Sequence, residues 1–101
     1  MQLSPDTQVG PRLRVHHGYG LVVNAKTVIG ADVELRQCTT IGARGISDGA
    51  PRIEDGVSVG ANAIVIGPVV VGRNSTVGAG AVVVRDVDAN TKVVGNPARC
   101  L

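Results

Sequence analysis

The feature that most constrains this chain is an aliphatic residue that returns at every sixth position. From position 23 to position 83 the series has eleven members, and only Ser47 is not Val, Ile or Leu. The aliphatic members are Val23, Ile29, Leu35, Ile41, Ile53, Val59, Val65, Val71, Val77 and Val83. A period of six fits neither an α-helix, at about 3.6 residues per turn, nor an alternating strand. It is typical of a parallel β-helix built from hexapeptides, and predicts an all-β fold.

Other positions of the repeat have their own preferences. Glycine is frequent one position after the aliphatic residue, and small or β-branched residues are frequent four positions after it. Three positions after it come residues that tolerate left-handed backbone at corners, namely Asp32, Gly56, Asn62, Asn74, Gly80 and Asp86. We therefore expect short faces joined by tight corners, three hexapeptides to a triangular coil, and four to five coils. Aliphatic residues eighteen apart should stack, as in the column Ile29, Ser47, Val65.

The repeat is interrupted in three places. Leu3, Val9 and Val15 keep the six-residue step in another phase, so two extra residues lie between Val15 and Val23. The segment 43–52 is rich in Gly, Ser, Asp and Pro and is expected to be a loop extruded from one corner. After Val87 the period fades. We expect a β-helix over residues 1–87 and a C-terminal tail over residues 88–101.

The composition excludes several classes of function. Tyr19 is the only aromatic residue and the net charge is +2, so neither stacking platforms nor a basic face favours nucleic-acid binding. The longest apolar stretch, residues 63–71, is interrupted by Gly67 and Pro68 and is too short to cross a bilayer. The first residues do not resemble a signal peptide. The two cysteines form no disulfide framework, and a reduced, cytoplasmic protein is expected.

The two histidines, His16 and His17, are the candidates for acid–base chemistry. Adjacent residues on an extended strand point to opposite faces, so the pair does not suit one metal ion, and no metal site is expected. An imidazole is suited to accepting a proton from a hydroxyl near neutral pH; the alternative is that both are ordinary surface residues. Cys38 is expected to be a small buried side chain, and Cys100 an exposed one.

Other residues leave two interpretations open. Asp48, Glu54 and Asp55 are either solvated charges or contacts to an acceptor. The glycines at positions 42, 60, 78 and 80 are expected to serve turn geometry, although small residues here also let a thin ligand approach the backbone.

Six stretches carry a resemblance to a known family. They are HHGYGLVV at 16–23, IGADV at 29–33, LRQCTTIG at 35–42, PRI at 51–53, VGANA at 59–63 and VGNPAR at 94–99. Together they span nearly the whole chain and resemble the catalytic domain of the serine acetyltransferases, within the hexapeptide acyltransferase family. The histidine motif, the loop position and the Gly-Asn-Pro-Ala-Arg ending are the more specific parts, because many acyltransferases share the hexapeptides.

The resemblance implies a left-handed coil and a homotrimer, with acetyl-CoA as co-substrate in a groove between two subunits and no permanently bound cofactor. His17 matches the catalytic histidine, which would take a proton from an acceptor hydroxyl for direct attack on the thioester. The Ala43 N–H would meet the tetrahedral oxyanion. CoA would pass Ala43, Arg44, Ala61, Ala79 and Gly80. Charge alone suggests Arg73 or Arg99 near its phosphates.

The departures from the family concern the acceptor. His16 replaces an acidic residue, Gln2 occupies the position of the carboxylate that orients the catalytic imidazole, and Gly49-Ala50 replaces an Arg-His pair that helps to hold the amino acid. We therefore expect a rebuilt acceptor site that includes His16 and Asp48. The predicted function is an O-acetyltransferase acting on serine or on a sugar or polysaccharide precursor. The alternative is a non-catalytic trimeric scaffold or partner-binding module.

Overall fold

The computed structural model describes residues 1–45 and 49–101, and the regular structure of this part is entirely β. Each strand has only two or three residues, because a corner follows every face. The strands are β1 (Gln2–Leu3), β2 (Gln8–Val9), β3 (Arg14–His16), β4 (Val22–Val23), β5 (Val28–Ile29), β6 (Glu34–Arg36), β7 (Thr40–Gly42), β8 (Arg52–Ile53), β9 (Ser58–Val59), β10 (Ile64–Ile66), β11 (Val70–Val71), β12 (Thr76–Val77), β13 (Val82–Val83), β14 (Lys92–Val94) and β15 (Arg99–Cys100). Within the described residues, no helix is both long and apolar enough to cross a membrane.

The strands form three parallel sheets, one for each face of a triangular prism. Sheet A has the order β1-β4-β7-β10-β13, sheet B has β11-β8-β5-β2, and sheet C has β15-β14-β12-β9-β6-β3. Each strand therefore pairs in parallel with the strand on the same face of the neighbouring coil. Only β15 runs antiparallel, against β14. The predicted left-handed parallel β-helix is confirmed.

The core is a stack of small aliphatic side chains along the prism axis. The aliphatic residues of the six-residue series are buried, as are most residues four positions later, including Val33, Val57, Ala63, Val69 and Ala81. Each Val, Ile or Leu buried in this way contributes about 1.5–3 kcal/mol to stability. The narrow interior explains how a chain without Phe or Trp builds a core.

Two polar residues of this inward set hydrogen-bond to the backbone of the neighbouring coil, whereas the buried Thr27 hydroxyl has no partner among the described residues. The Thr39 hydroxyl donates to the Gly60 carbonyl at 3.1 Å, and the Ser75 hydroxyl donates to the Asp88 carbonyl at 2.8 Å. Small hydroxyl side chains thus fill the same positions as valine, because a carbonyl of the neighbouring coil lies within reach.

The expected stacking of residues eighteen apart is wrong across the loop. Ile29 pairs with Ile53, and Val65 pairs with Ile41, so both separations are twenty-four residues. The segment 43–52 adds six residues to the corner between β7 and β8, which is one hexapeptide, so the period stays in phase while the column shifts. Ser47, the exception in the series, lies outside the described residues. The two extra residues after Val15 are confirmed, because Leu3 pairs with Val23.

The corners use left-handed backbone, as the repeat predicts at five of six positions. Asp32, Gly56, Asn62, Asn74 and Gly80 all have positive φ. Asp86 does not; its carboxylate instead accepts the Val70 N–H at 2.8 Å. The pattern missed Arg12, His17, Cys38 and Asn90, which also have positive φ. The prediction that Cys38 is buried is wrong, since a residue at such a corner projects outward and its side chain is exposed.

The glycine that follows the aliphatic residue is explained by close approach and not by turn geometry. Gly60 and Gly78 lack positive φ, and of the four glycines expected to serve turns only Gly80 has it. A Cβ on Gly60 would lie 2.5 Å from the Ala79 nitrogen of the next coil, whereas one on Gly42 would have no atom within 4 Å. Coil-to-coil contact therefore selects glycine at position 60.

These two glycines give a matched test of the stacking. Gly60→Ala is expected to lower the free energy of unfolding by about 1–3 kcal/mol, because the Ala79 backbone moves only if the whole coil moves. Gly42→Ala, at the same position of the repeat, is expected to change it by less than about 0.5 kcal/mol. Urea denaturation at one fixed protomer concentration measures both. Equal losses in the two variants would contradict this account.

Candidate active site

One edge of the prism carries His17 together with three of the predicted CoA-binding residues. This edge, the C–A corner, consists of the segments that leave sheet C and enter sheet A, at 17–21, 37–39, 60–63 and 78–81. Backbone hydrogen bonds stack it from coil to coil: Cys38 N–H to Tyr19 O at 3.0 Å, Asn62 N–H to Gln37 O at 3.1 Å and Gly80 N–H to Ala61 O at 2.9 Å. His17 thus shares one column with Ala61, Ala79 and Gly80, although about sixty residues of sequence separate its ends.

The remaining predicted CoA-binding residues lie on the other edges. Ala43 and Arg44 follow β7 at the corner between sheets A and B, which we name the A–B corner, and Arg44 packs over Gly67 of the next coil. Arg73 follows β11 at the third corner, where its N–H donates to the Glu54 carboxylate at 3.1 Å. A single chain does not bring these residues to His17. Asp48 of the predicted acceptor site lies outside the described residues.

The chain turns sharply at His17. Strand β3 ends at His16, and His17 follows with φ of 54°, so its exposed ring leaves the sheet at the corner. The ring lies 6.4 Å from the Tyr19 ring, measured between centroids, at an interplanar angle of 49°. No hydrogen bond joins the His17 ring to any described residue, including Gln2 at the position of the family's orienting carboxylate. The imidazole is therefore open to an incoming group.

His16 belongs to a different environment, on the outer face of sheet C. Its Nε2 lies 2.9 Å from Glu34 Oε2, and Arg36 Nη2 lies 3.7 Å from the same oxygen. Arg36 also donates to the Ser58 hydroxyl at 3.0 Å and to the Val59 carbonyl at 3.1 Å. The hydrogen bond from His16, with a smaller contribution from Arg36, lowers the pKa of Glu34 despite partial desolvation. These contacts hold the polar cluster together and favour the ionised form of Glu34 next to the histidine corner.

Sequence analysis missed Glu34 and Arg36 as neighbours of the histidines. The signal that identifies them is the coil length at this point: His16 pairs with Arg36, twenty residues later, because two extra residues follow β3. A count of eighteen from His16 reaches Glu34, its hydrogen-bond partner, whereas the strand register places Arg36 opposite it. The expectation that the two histidines point to opposite faces of one strand assumes that both lie on it, but β3 ends at His16 and His17 has a left-handed backbone, so both are exposed in different surroundings.

The Ala43 N–H has the property that an oxyanion donor needs. Ala43 is half-buried directly after β7, and no described residue accepts a hydrogen bond from its backbone N–H. A preorganised main-chain donor without a competing acceptor is suited to stabilising negative charge that develops on a carbonyl oxygen. In one chain it lies on a different edge from His17.

Two other features of the described chain do not add a site. No group of three or more His, Cys, Asp or Glu residues is placed to hold a metal ion within residues 1–45 and 49–101. A cavity of about 590 Å³ opens at the C-terminal end of the coil, lined by Val83, Val87, Val93 and the tail residues Ala98 and Arg99. It is the unstacked end of the prism and is separate from the C–A corner.

Comparison with known proteins agrees with this architecture. The family model of bacterial transferase hexapeptide (six repeats) matches residues 50–85. The chain is 47% identical over 92 residues to a proposed colanic acid biosynthesis acetyltransferase, WcaB, of Escherichia coli (strain K12), covering 90% of this chain and 57% of that protein. It is 41% identical over 103 residues to serine acetyltransferase 1, chloroplastic, of Arabidopsis thaliana, covering 100% of this chain and 33% of that protein.

A solved structure gives the same result in three dimensions. The serine acetyltransferase of Brucella abortus strain S19, in complex with coenzyme A, superimposes with a TM-score of 0.93 and 37% identity, covering 98% of this chain and 40% of that one. The chain thus spans only part of the length of these relatives: 57% of WcaB, 40% of the Brucella abortus enzyme and 33% of the Arabidopsis thaliana enzyme. The chain is similar to hexapeptide-repeat acetyltransferases, among them serine acetyltransferases.

Proposed function

We propose that this chain is an acetyl-CoA-dependent O-acetyltransferase in which His17 is the general base. The observation that carries the proposal is the shared edge: the exposed imidazole of His17 lies on the same corner as Ala61, Ala79 and Gly80, and this corner is stacked from coil to coil through Tyr19 and Cys38. Two relatives named above are acetyltransferases, and a third is named in complex with coenzyme A. Their names supply two acceptor classes, serine and an intermediate of polysaccharide biosynthesis.

The chemistry is a direct transfer in one ternary complex. His17 removes the proton from the acceptor hydroxyl as its oxygen attacks the thioester carbonyl. The Ala43 N–H hydrogen-bonds the oxyanion of the tetrahedral intermediate. The intermediate collapses with loss of the CoA thiolate, which takes the proton held by His17. The acetyl ester and CoA leave, and no covalent acetyl-enzyme forms.

The C–A corner has the shape that a long, thin donor needs. Ala79 and Gly80 are exposed, and a Cβ on Gly80 would meet no atom within 4 Å. Small residues therefore leave the backbone open along two coils, where a pantetheine arm can lie close to it. From charge we assign Arg73 or Arg99 to the CoA phosphates; of the two, Arg73 lies on the third corner, between sheets B and C. Acetyl-CoA is a co-substrate here, with no permanently bound cofactor.

The division of the residues over three edges is the reason to propose a homotrimer. His17 and Ala43 lie on different corners of one chain, so a second copy must present its A–B corner to the first copy's C–A corner. The outer face of sheet A is apolar and suits such a contact, with Ile64, Ile66 and Val82 half-buried and Val22 and Val84 about 40% exposed. A trimer with three equivalent grooves satisfies both observations. Its location is proposed to be cytoplasmic, where the two free cysteines stay reduced.

The trimer is tested by a charge on this face. Ile64→Glu is expected to shift the oligomer to smaller species, because a carboxylate buried against an apolar partner is strongly disfavoured. Thr76→Glu is the matched control: it occupies the equivalent outward position on sheet C, beside Lys92, and should leave the trimer intact. Light scattering at several protomer concentrations measures both. A wild-type chain that is a monodisperse folded monomer would contradict the proposal.

The role of His17 is tested by His17→Asn, which keeps a residue that tolerates positive φ at this corner. Loss of the general base is expected to lower kcat by about 10²–10⁴-fold. The affinity for CoA, measured by calorimetric titration, should stay within about twofold, because the side chain contacts the acceptor and not the nucleotide. His16→Gln provides the comparison and should alter mainly the KM of the acceptor. Unchanged turnover in His17→Asn would refute the assignment.

The alternative, a non-catalytic trimeric scaffold, rests on one observation. No described residue hydrogen-bonds the His17 ring, and Gln2 stands where the family has the carboxylate that orients it. CoA binding and acetyl transfer, both measured on the same samples, distinguish the two functions. Saturable CoA binding without acetyl transfer to either acceptor class favours the scaffold, whereas binding together with transfer supports the enzyme.

A further inference from the structure

Tyr19 is the only aromatic residue among 101, and it is not in the core. Its side chain is 66% exposed on the C–A corner, two residues after His17. An isolated exposed aromatic residue requires no explanation by itself. In a chain that fills every buried position with small residues, however, the single large apolar ring stands beside the proposed general base.

The position of the Tyr19 ring is defined by the backbone beneath it. The Tyr19 carbonyl accepts the Cys38 N–H at 3.0 Å, which ties this residue to the next coil. Gly20 follows with φ of 71°, and a Cβ there would lie 2.9 Å from Cys38 Sγ, so the turn packs closely against Cys38 of the next coil. The ring therefore projects outward from a fixed corner, 6.4 Å from the His17 ring.

This arrangement matches the chemistry of a pyranose ring better than that of serine. One or both faces of a pyranose carry axial C–H groups, which pack on the negative face of an aromatic ring, while the equatorial hydroxyls point sideways. A sugar that stacks on Tyr19 directs a hydroxyl edge toward the His17 imidazole. Serine has a single CH₂ group and no apolar face to stack.

The polar neighbours on sheet C suit hydroxyl groups as well. Glu34 offers carboxylate oxygens as acceptors, and the Arg36 guanidinium offers donors, both half-exposed in the coil next to β3. Sugar hydroxyls donate and accept, so they use both kinds of partner. Position 16, directly before His17, holds an imidazole, so the site has no carboxylate at that position to receive the ammonium group of an amino acid.

We propose that Tyr19 is a stacking platform that selects a carbohydrate ring as the acetyl acceptor at the His17 site. This rests on the proposed function, and deepens it by naming the acceptor class and a specificity-determining residue. The hydroxyl of a pyranose bound on the Tyr19 face is the group that His17 deprotonates.

Binding is tested directly by proton NMR, because Tyr19 contributes the only tyrosine ring signals of the chain. Methyl β-D-glucopyranoside and methyl β-D-galactopyranoside are titrated into the CoA-bound protein, with L-serine and glycerol as controls that lack a pyranose ring. Saturable shifts of the Tyr19 ring signals with a pyranoside, and not with the controls, are expected. Absence of such shifts with both pyranosides would overturn the proposal whether or not the chain is an enzyme.

Kinetics test the role of the ring face. Tyr19→Ala is expected to raise the KM for the pyranoside about tenfold, and to leave the KM for acetyl-CoA within about twofold. Tyr19→Phe keeps the face and removes only the hydroxyl, so its KM should match that of the wild type. Both variants should keep the oligomeric mass, because the side chain is exposed.

The outcomes separate this proposal from the proposed function. Transfer to a pyranoside with no change of KM in Tyr19→Ala overturns the platform and leaves the acetyltransferase assignment intact. A larger kcat/KM for L-serine than for both pyranosides, or loss of the oligomer in Tyr19→Ala, also overturns it. Failure of acetyl transfer to every acceptor, together with saturable Tyr19 shifts, refutes the enzyme assignment and supports the carbohydrate site.

Discussion

The constraint on which the structure depends is the spacing of about 4.8 Å between successive coils. Backbone hydrogen bonds fix this distance at the corners as well as on the faces, so most residues of the inner coils have a neighbour directly above and below them. At Gly60 the next backbone comes so close that a Cβ does not fit, and at the left-handed corners the chain must turn within one residue. The interior is then so narrow that Val, Ile, Leu, Ala, Ser and Thr fill it completely.

The same constraint determines where chemistry is placed. With the inside of the prism filled, functional groups have only the outer faces and the corners, and a corner stacks residues that are far apart in sequence. His17, Cys38, Ala61 and Gly80 share one column because each lies at the same corner of a successive coil. The two residues added after β3 widen that corner in the first coil and let it hold both an imidazole and a phenol ring.

The sequence predicts the fold more completely than the site. The aliphatic period defines the coil because each of those residues is inward-facing, and its phase survives the loop, since the added length is one hexapeptide. Because the phase is unchanged, the sequence pattern does not reveal that the stacked column shifts across the loop and places Ile29 on Ile53. Cys38 shows a second limit of prediction from sequence. Its place in the coil puts it at a corner with positive φ, although the residue type does not favour that conformation. The grouping around His16 joins Glu34, eighteen residues later, to Arg36, whose place opposite His16 follows from a twenty-residue register that requires the strand pairing to be known.

A filled prism also explains why one chain does not complete the proposed site. An enzyme with a hollow domain encloses its substrates within one subunit, but this fold has flat faces and three separate edges. In the proposed trimer a groove for acetyl-CoA forms where the edge of one copy meets the edge of another, and this would bring together His17 and the Ala43 N–H, which lie on different corners of one chain. The donor then requires little from each chain beyond small residues. In this proposal, discrimination between acceptors depends on the few large side chains beside His17, and Tyr19, with the His16–Glu34 pair nearby, offers a ring face and polar groups that suit a sugar.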